Sequence, residues 1–331
     1  MKCILLSDTH LGVHKSSPIW QNTTIKLFKS IIDDCERRNI TTIFHLGDWF
    51  DDRKNLNITT LDVSKTIAHL LKNLEVNIII GNHDTYYKDR TLPSSLLFYE
   101  KHENINVFFE PTQYEDILLV PWNTLTHDIL GHGGKYMFGH LEINTFNTND
   151  SYCFSKSVFN PDNFKKFDLV LSGHFHTPSK KNNIQYIGSP FHQTFNDVGS
   201  TRGYYIFDDG EIEFIPFNDS PKFVVMTTES DINKNIIEGN IIKLKFLKDY
   251  GTSENSAIIS SIQQHNPLQL HSDFSNITIS NKDVVQEEVE NLKLKNHREI
   301  FYEYIDSIAI PEHLKRSTLK ALINQILKPE E

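Results

Sequence analysis

The sequence predicts an α/β protein: a two-sheet β-sandwich flanked by helices, followed by a small α/β accessory domain and a C-terminal helical hairpin. Three patterns predict it. Residues 2–80 alternate β-branched apolar runs with amphipathic helical stretches, which indicates a parallel sheet covered by helices. Residues 105–215 hold many short strand patterns with turn signals between them and little helix, which calls for a second sheet. A composition shift at Asn218-Asp219-Ser220-Pro221 marks a domain edge. The expected division is a main domain over 1–218, an accessory domain over 219–283 and terminal helices over 284–331.

Taken in order, Lys2-Cys3-Ile4-Leu5-Leu6-Ser7 is a strand ending in Asp8-Thr9-His10. A helix over 22–38 follows, with Ile25, Phe28, Ile32 and Cys35 on one face. The next strand, from Thr41, stops abruptly at Gly47-Asp48, where glycine lets the backbone turn and leaves the carboxylate at the sheet's edge. A helix over 59–74 carries Ile67, Leu70, Leu71 and Leu74 as its stripe. Val76-Asn77-Ile78-Ile79-Ile80 is then closed by Gly81-Asn82-His83-Asp84. Strands are expected over 105–109, 117–120, 135–138, 169–172, 185–187, 204–207 and 212–215, with a hairpin at Asp208-Asp209-Gly210. The accessory domain shows two strands, 223–227 and 241–246, and a helix near 256–264. In the last stretch Ile300, Phe301, Tyr304, Ile305 and Ile308 form one stripe. Pro311 opens a second helix striped by Leu319, Leu322, Ile323, Ile326 and Leu327. So much apolar surface must pack on the chain's own body or on another protein.

Composition bounds the function. A net charge of −10 over 331 residues excludes coating nucleic acid by bulk electrostatics, so any DNA contact must come from local patches, metal or a partner. Cys3, Cys35 and Cys153 are scattered and form no Cys-x-x-Cys pair, which argues for a reducing compartment and against a disulfide scaffold or zinc ribbon. No apolar run approaches the ~20 residues that span a bilayer, and Asp8 and His10 arrive too early for a signal-peptide core. A soluble cytoplasmic protein without a membrane partner is expected.

Five strand ends carry metal-ligand residue types: Asp8-x-His10, Gly47-Asp48, Gly81-Asn82-His83-Asp84, Gly139-His140 and Gly173-His174-Phe175-His176. They supply two aspartates, one asparagine and four histidines, with His83 left over. Oxygen and imidazole donors suit manganese, iron or zinc and not a thiolate site. Seven ligands are too many for one tetrahedral ion and fit two ions sharing a bridge, for which Asp48 is the natural residue.

This set, in this order, resembles the calcineurin-like metallophosphoesterase superfamily. Within it the chain is similar to the SbcD recombination nucleases, the bacterial and phage relatives of the meiotic recombination eleven nuclease, including those of phage recombination-dependent replication. Tyr186-Ile187-Gly188-Ser189-Pro190 and Arg202-Gly203-Tyr204-Tyr205 resemble the segment that closes the SbcD nuclease domain. The likeness covers about residues 1–217, and the terminal helices only in character. It implies the metallophosphoesterase fold, with one metal held by Asp8, His10, Asp48 and His176 and a second by Asp48, Asn82, His140 and His174. His83 would sit over the scissile phosphate as general acid or transition-state stabiliser, oriented by Asp84. Two such ions neutralise phosphodiester oxygens and acidify a bridging water.

The resemblance further implies manganese as the metal, with magnesium or other divalent ions as alternatives. It implies a DNA exonuclease and endonuclease acting on duplex ends and single strands in recombination and repair. The partner would be an SbcC-type coiled-coil ATPase docked on the terminal helices, with the nuclease a homodimer inside a heterotetramer. One departure is Asp51, where many relatives place a second histidine. Arg53, Lys54, Lys88, Arg90 and Arg202 are candidate phosphate contacts. Two other readings stay open: a phosphoprotein phosphatase or small-molecule phosphodiesterase on the same fold, and a non-catalytic adaptor.

Overall fold

The computed structural model describes residues 1–149, 152–153, 157–275 and 277. The terminal hairpin expected over 284–331, and the ATPase docking assigned to it, lie outside the described residues. Met1–Asn276 forms one compact unit.

Two six-stranded sheets dominate it. In the first, Lys2–Leu6, Thr42–His45, Glu75–Ile79 and Ile105–Phe108 run parallel, and the antiparallel pair Gly203–Asp208 and Glu211–Pro216 closes one edge. The turn of that pair places Asp209 at φ 48° and Gly210 at φ 99°, the two positive values that the hairpin signal requires. The second sheet centres on the parallel strands Ile117–Val120, Tyr136–His140, Leu169–Gly173 and Ile184–Tyr186.

Strand alternation explains the layers. Ile4 and Leu6 face the helices Pro18–Arg38 and Ile58–Leu70, whereas Cys3 and Leu5 face the second sheet and meet Phe138, Leu171 and Phe207. Burial on both faces is why these strands read as unbroken apolar runs. A third cluster, with Val170, Tyr186, Phe159 and Phe164, covers the outer side of the second sheet.

The first helix differs in detail from its sequence pattern. It starts at Pro18, four residues before the expected position, because proline's missing N–H and fixed φ suit a first helical turn. Its buried face is Trp20, Leu27, Phe28, Ile31 and Cys35, with Ile25 and Ile32 only partly covered. Asn39 ends it in a left-handed conformation at φ 54°.

Residues 223–273 form a three-stranded parallel sheet, Phe223–Thr227, Ile241–Lys245 and Gln269–Asp273, with the helix Thr252–Gln263 between the last two. The third strand escaped the sequence reading because Gln269-Leu270-His271-Ser272-Asp273 is polar and largely open to solvent. Phe223 stacks on Trp20 at 5.9 Å, which joins this sheet to the start of the first helix.

Candidate metal centre at the strand ends

All five ligand-bearing motifs leave the C-terminal ends of adjacent parallel strands, three in the first sheet and two in the second. Ligands in open α/β sheets gather at that edge. The backbone there is unusual: Asp8, His10, Asp48 and His174 hold φ of 54°, 44°, 57° and 91°, left-handed values that side chains seldom adopt. Each costs about 1–3 kcal/mol and persists only where the surroundings fix it. Gly81 shows how tightly they do, since a Cβ there would collide with the backbone nitrogen and carboxylate of Asp48.

The side chains converge. His10 Nε2 is 3.1 Å from His176 Nε2, 3.6 Å from Asp48 Oδ2 and 3.9 Å from Asp8 Oδ1. His140 Nε2 is 3.4 Å from Asp48 Oδ2 and 3.0 Å from Asn82 Oδ1, and Asn82 Oδ1 lies 2.7 Å from His174 Nδ1. Three overlapping groups have ligand atoms within 4.8 Å of one another: Asp8, His10 and His176; His10, Asp48 and His83; Asp48, His140 and His174. Asp48 is in two of them.

The charges fit divalent cations. Asp8 and Asp48 are fully buried carboxylates, and among the described residues their ion-pair partners are histidines alone. Burying a carboxylate costs several kcal/mol unless positive charge compensates it. Protons are the substitute in metal-free protein. Burial alone disfavours the His140 imidazolium, but the Asp48 and Asp8 carboxylates outweigh it and push His140 up to about 9. Burial also works against an ionised Asp48, yet His140, His10 and His83 hold it well below the usual carboxylate range.

A pH dependence follows. Because the fold favours the His140 imidazolium, its stabilisation is complete below pH 6.5 and gone once pH has passed about 9. Asp84 has the same sign: burial and the Asp48 charge push it up to about 7, so its protonated form also favours the fold at low pH. The melting temperature of chelator-treated protein is therefore expected to fall from pH 6.5 to 9. With a divalent ion displacing the His140 proton, it should stay level or rise. Parallel melting curves with and without metal would contradict this account.

A profile of the calcineurin-like phosphoesterase family matches residues 1–178. The chain belongs to that family. Its members work with divalent metals, in keeping with these clusters. Exonuclease subunit 1 of Enterobacteria phage T4 is 33% identical over 237 residues, covering 66% of this chain and 68% of that protein. The SbcD component of the SbcCD nuclease of Staphylococcus epidermidis is 33% identical over 246 residues, 63% of this chain and 66% of the relative. The chain thus spans about two thirds of each. A solved Pseudomonas putida nuclease superposes with a TM-score of 0.33 at 16% identity, over 64% of this chain and 87% of that one.

Two expectations need correction, one implied by the likeness to this family and one read from the chain's basic residues. Asp84 does not orient His83. Its carboxylate accepts backbone N–H groups of Gly81, Asp48, Trp49 and Phe50, which ties the Gly47-Asp48 and Gly81-Asn82 turns together. The His83 ring is held by Asp51, whose carbonyl accepts from Nδ1 at 2.6 Å. Arg202 is no phosphate contact either, being 3% exposed and bound to Asp197, Ser189 and Ser200.

Three residues absent from the sequence reading of the site, or only noted in passing, belong to its surroundings. Asp51 holds His83 through its carbonyl and puts its carboxylate 3.3 Å from His10 Nδ1. Glu142 lies 3.1 Å from His174 Nε2, the position of a carboxylate that orients a ligating imidazole. Trp122 packs against the His174 ring at 5.1 Å. Asp51 follows Gly47-Asp48 closely enough to be noticed, whereas nothing in the sequence marks Glu142 or Trp122.

Proposed function

We propose that the chain is a two-metal DNA nuclease, cutting duplex ends as an exonuclease and single strands as an endonuclease. It would be the catalytic subunit of a recombination and repair complex with an SbcC-type coiled-coil ATPase. The relatives named as an exonuclease subunit and an SbcCD nuclease subunit support the reading. The observation that carries it is the buried pair Asp8 and Asp48 ringed by four histidines and Asn82, with His83 beside them.

One ion, best manganese, would be held by Asp8, His10, Asp48 and His176, and a second by Asp48, Asn82, His140 and His174. When bound, such ions supply positive charge for phosphodiester oxygens and a water acidic enough to attack at neutral pH. The protein supplies the rest. Leu46 accepts from His140 Nδ1 at 2.7 Å and Glu142 faces His174 Nε2, so each ring presents its other nitrogen to the centre. The backbone N–H of His174 bonds to the Asp8 carboxylate at 3.1 Å and that of His83 to Asp48 at 2.7 Å, which fixes both carboxylates before substrate arrives. With Nδ1 donating to Asp51, His83 Nε2 is free to protonate the leaving sugar oxygen.

His83→Ala is expected to slow degradation of end-labelled linear duplex DNA by roughly 10²–10⁴-fold, the scale of losing one general acid. Its two-metal stoichiometry should be unchanged. Fast hydrolysis of an aryl monophosphate with DNA left intact would instead make the protein a phosphatase. Loss of metal along with rate would make His83 a ligand.

A further inference from the structure

A cavity of about 260 Å³ opens beside His174, and of its walls the proposed two-metal chemistry uses Glu142 alone. Its walls are Trp122, Leu141 and Phe159, with Asn123 and Glu142 as polar members and Val158 at the rim. It touches the centre at two points. Trp122 lies against the His174 ring at an interplanar angle of 31°, and Glu142 faces Nε2 of the same ring. The Trp122 backbone N–H bonds to the Ile80 carbonyl at 2.9 Å, which ties the main chain at Trp122 to the strand end that carries Asn82.

An aromatic wall and aliphatic sides beside the phosphodiester site suit a flat, uncharged heteroaromatic ring.

We propose that this cavity receives the base of the nucleotide whose phosphodiester is cut, stacked on Trp122. The proposal rests on the nuclease reading and narrows its substrate. Every base has a face that stacks on an indole, so little sequence preference is expected. A base inside a duplex stack cannot enter, so the cut nucleotide must be unpaired, either in a single strand or at a frayed end.

The test uses the full chain with manganese and an end-labelled single-stranded oligonucleotide that carries one internal abasic position. The wild type should cut at the abasic nucleotide roughly 5- to 150-fold more slowly than at its neighbours, the size of one base–aromatic stack. Val158→Trp fills the mouth from a rim residue that is 69% exposed, so folding is not at risk. It and Trp122→Leu should cut abasic and intact positions at equal rates. Comparing positions within one strand cancels any general loss caused by disturbing His174. Equal cutting at both positions by the wild type, or unchanged discrimination in Val158→Trp, would overturn the base cavity while leaving the nuclease reading intact. If no DNA of any form is cut, both fall together.

Discussion

Replacing Asp48 by alanine is expected to lower metal-dependent cleavage by roughly 10³-fold or more, at or beyond the scale of deleting one electrostatic stabiliser. Two losses coincide. Asp48 stands in two of the three ligand groups, so both proposed metal positions lose an oxygen. Its Oδ1 also accepts the His83 backbone N–H at 2.7 Å, so the turn that carries the proposed acid loses a tie. Asp48→Asn keeps the shape and the hydrogen bond but removes the charge that holds His140 protonated in metal-free protein. It should retain the fold, lose metal and shift the melting profile of metal-free protein, because the rise in stability toward low pH shrinks. Metal stoichiometry and single-turnover rates check the pair. Full activity in Asp48→Ala with two ions bound would remove Asp48 from the centre.

The largest effect on stability is expected at Arg202. Its guanidinium and the Asp197 carboxylate belong to residues each 3% exposed and bond at 2.6 Å, and Asp197 also accepts from the N–H groups of Gln193 and Thr194. Arg202→Ala leaves that carboxylate buried without a cation, a change of about 3–5 kcal/mol. The damage should reach the site, because Gln193 Nε2 donates to the Asp8 carbonyl at 2.8 Å. Urea unfolding of the variant should show a lower midpoint, and pairing it with Asp197→Leu should recover part of the loss, since no charge is then stranded. A variant as stable as the wild type would mean that water or another cation reaches Asp197.

Arg202 also shows what a sequence withholds. An arginine near an expected DNA-binding mouth looks like a phosphate contact. Its value here comes from Asp197, five residues earlier, across a turn whose geometry no pattern encodes. The same holds for His83 and Asp84. Adjacency suggested that one orients the other, yet successive residues at a turn diverge, and Asp84 points inward to four backbone N–H groups while His83 meets Asp51.

What the chain determined by itself is the succession of most strands along it and the chemistry at their ends. Apolar runs that stop at Gly-Asp, Gly-Asn-His and Gly-His are legible because β-branched periodicity and abrupt turns are local properties. The side chains presented there belong to the same short motifs, so Asp8, His10, Asp48, Asn82, His140, His174 and His176 are named by the sequence alone. The tertiary structure decided which surrounding groups hold them. Glu142 and Trp122 reach His174, and Asp51 reaches His10 and His83, only because strand pairing within each sheet places loops from different parts of the chain within about 3–5 Å. Likewise the cavity beside His174 exists only in the packing of Trp122 against Leu141 and Phe159. Contacts between segments far apart in the chain carry no local signature, because the loop entropy that separates them leaves no trace in residue type.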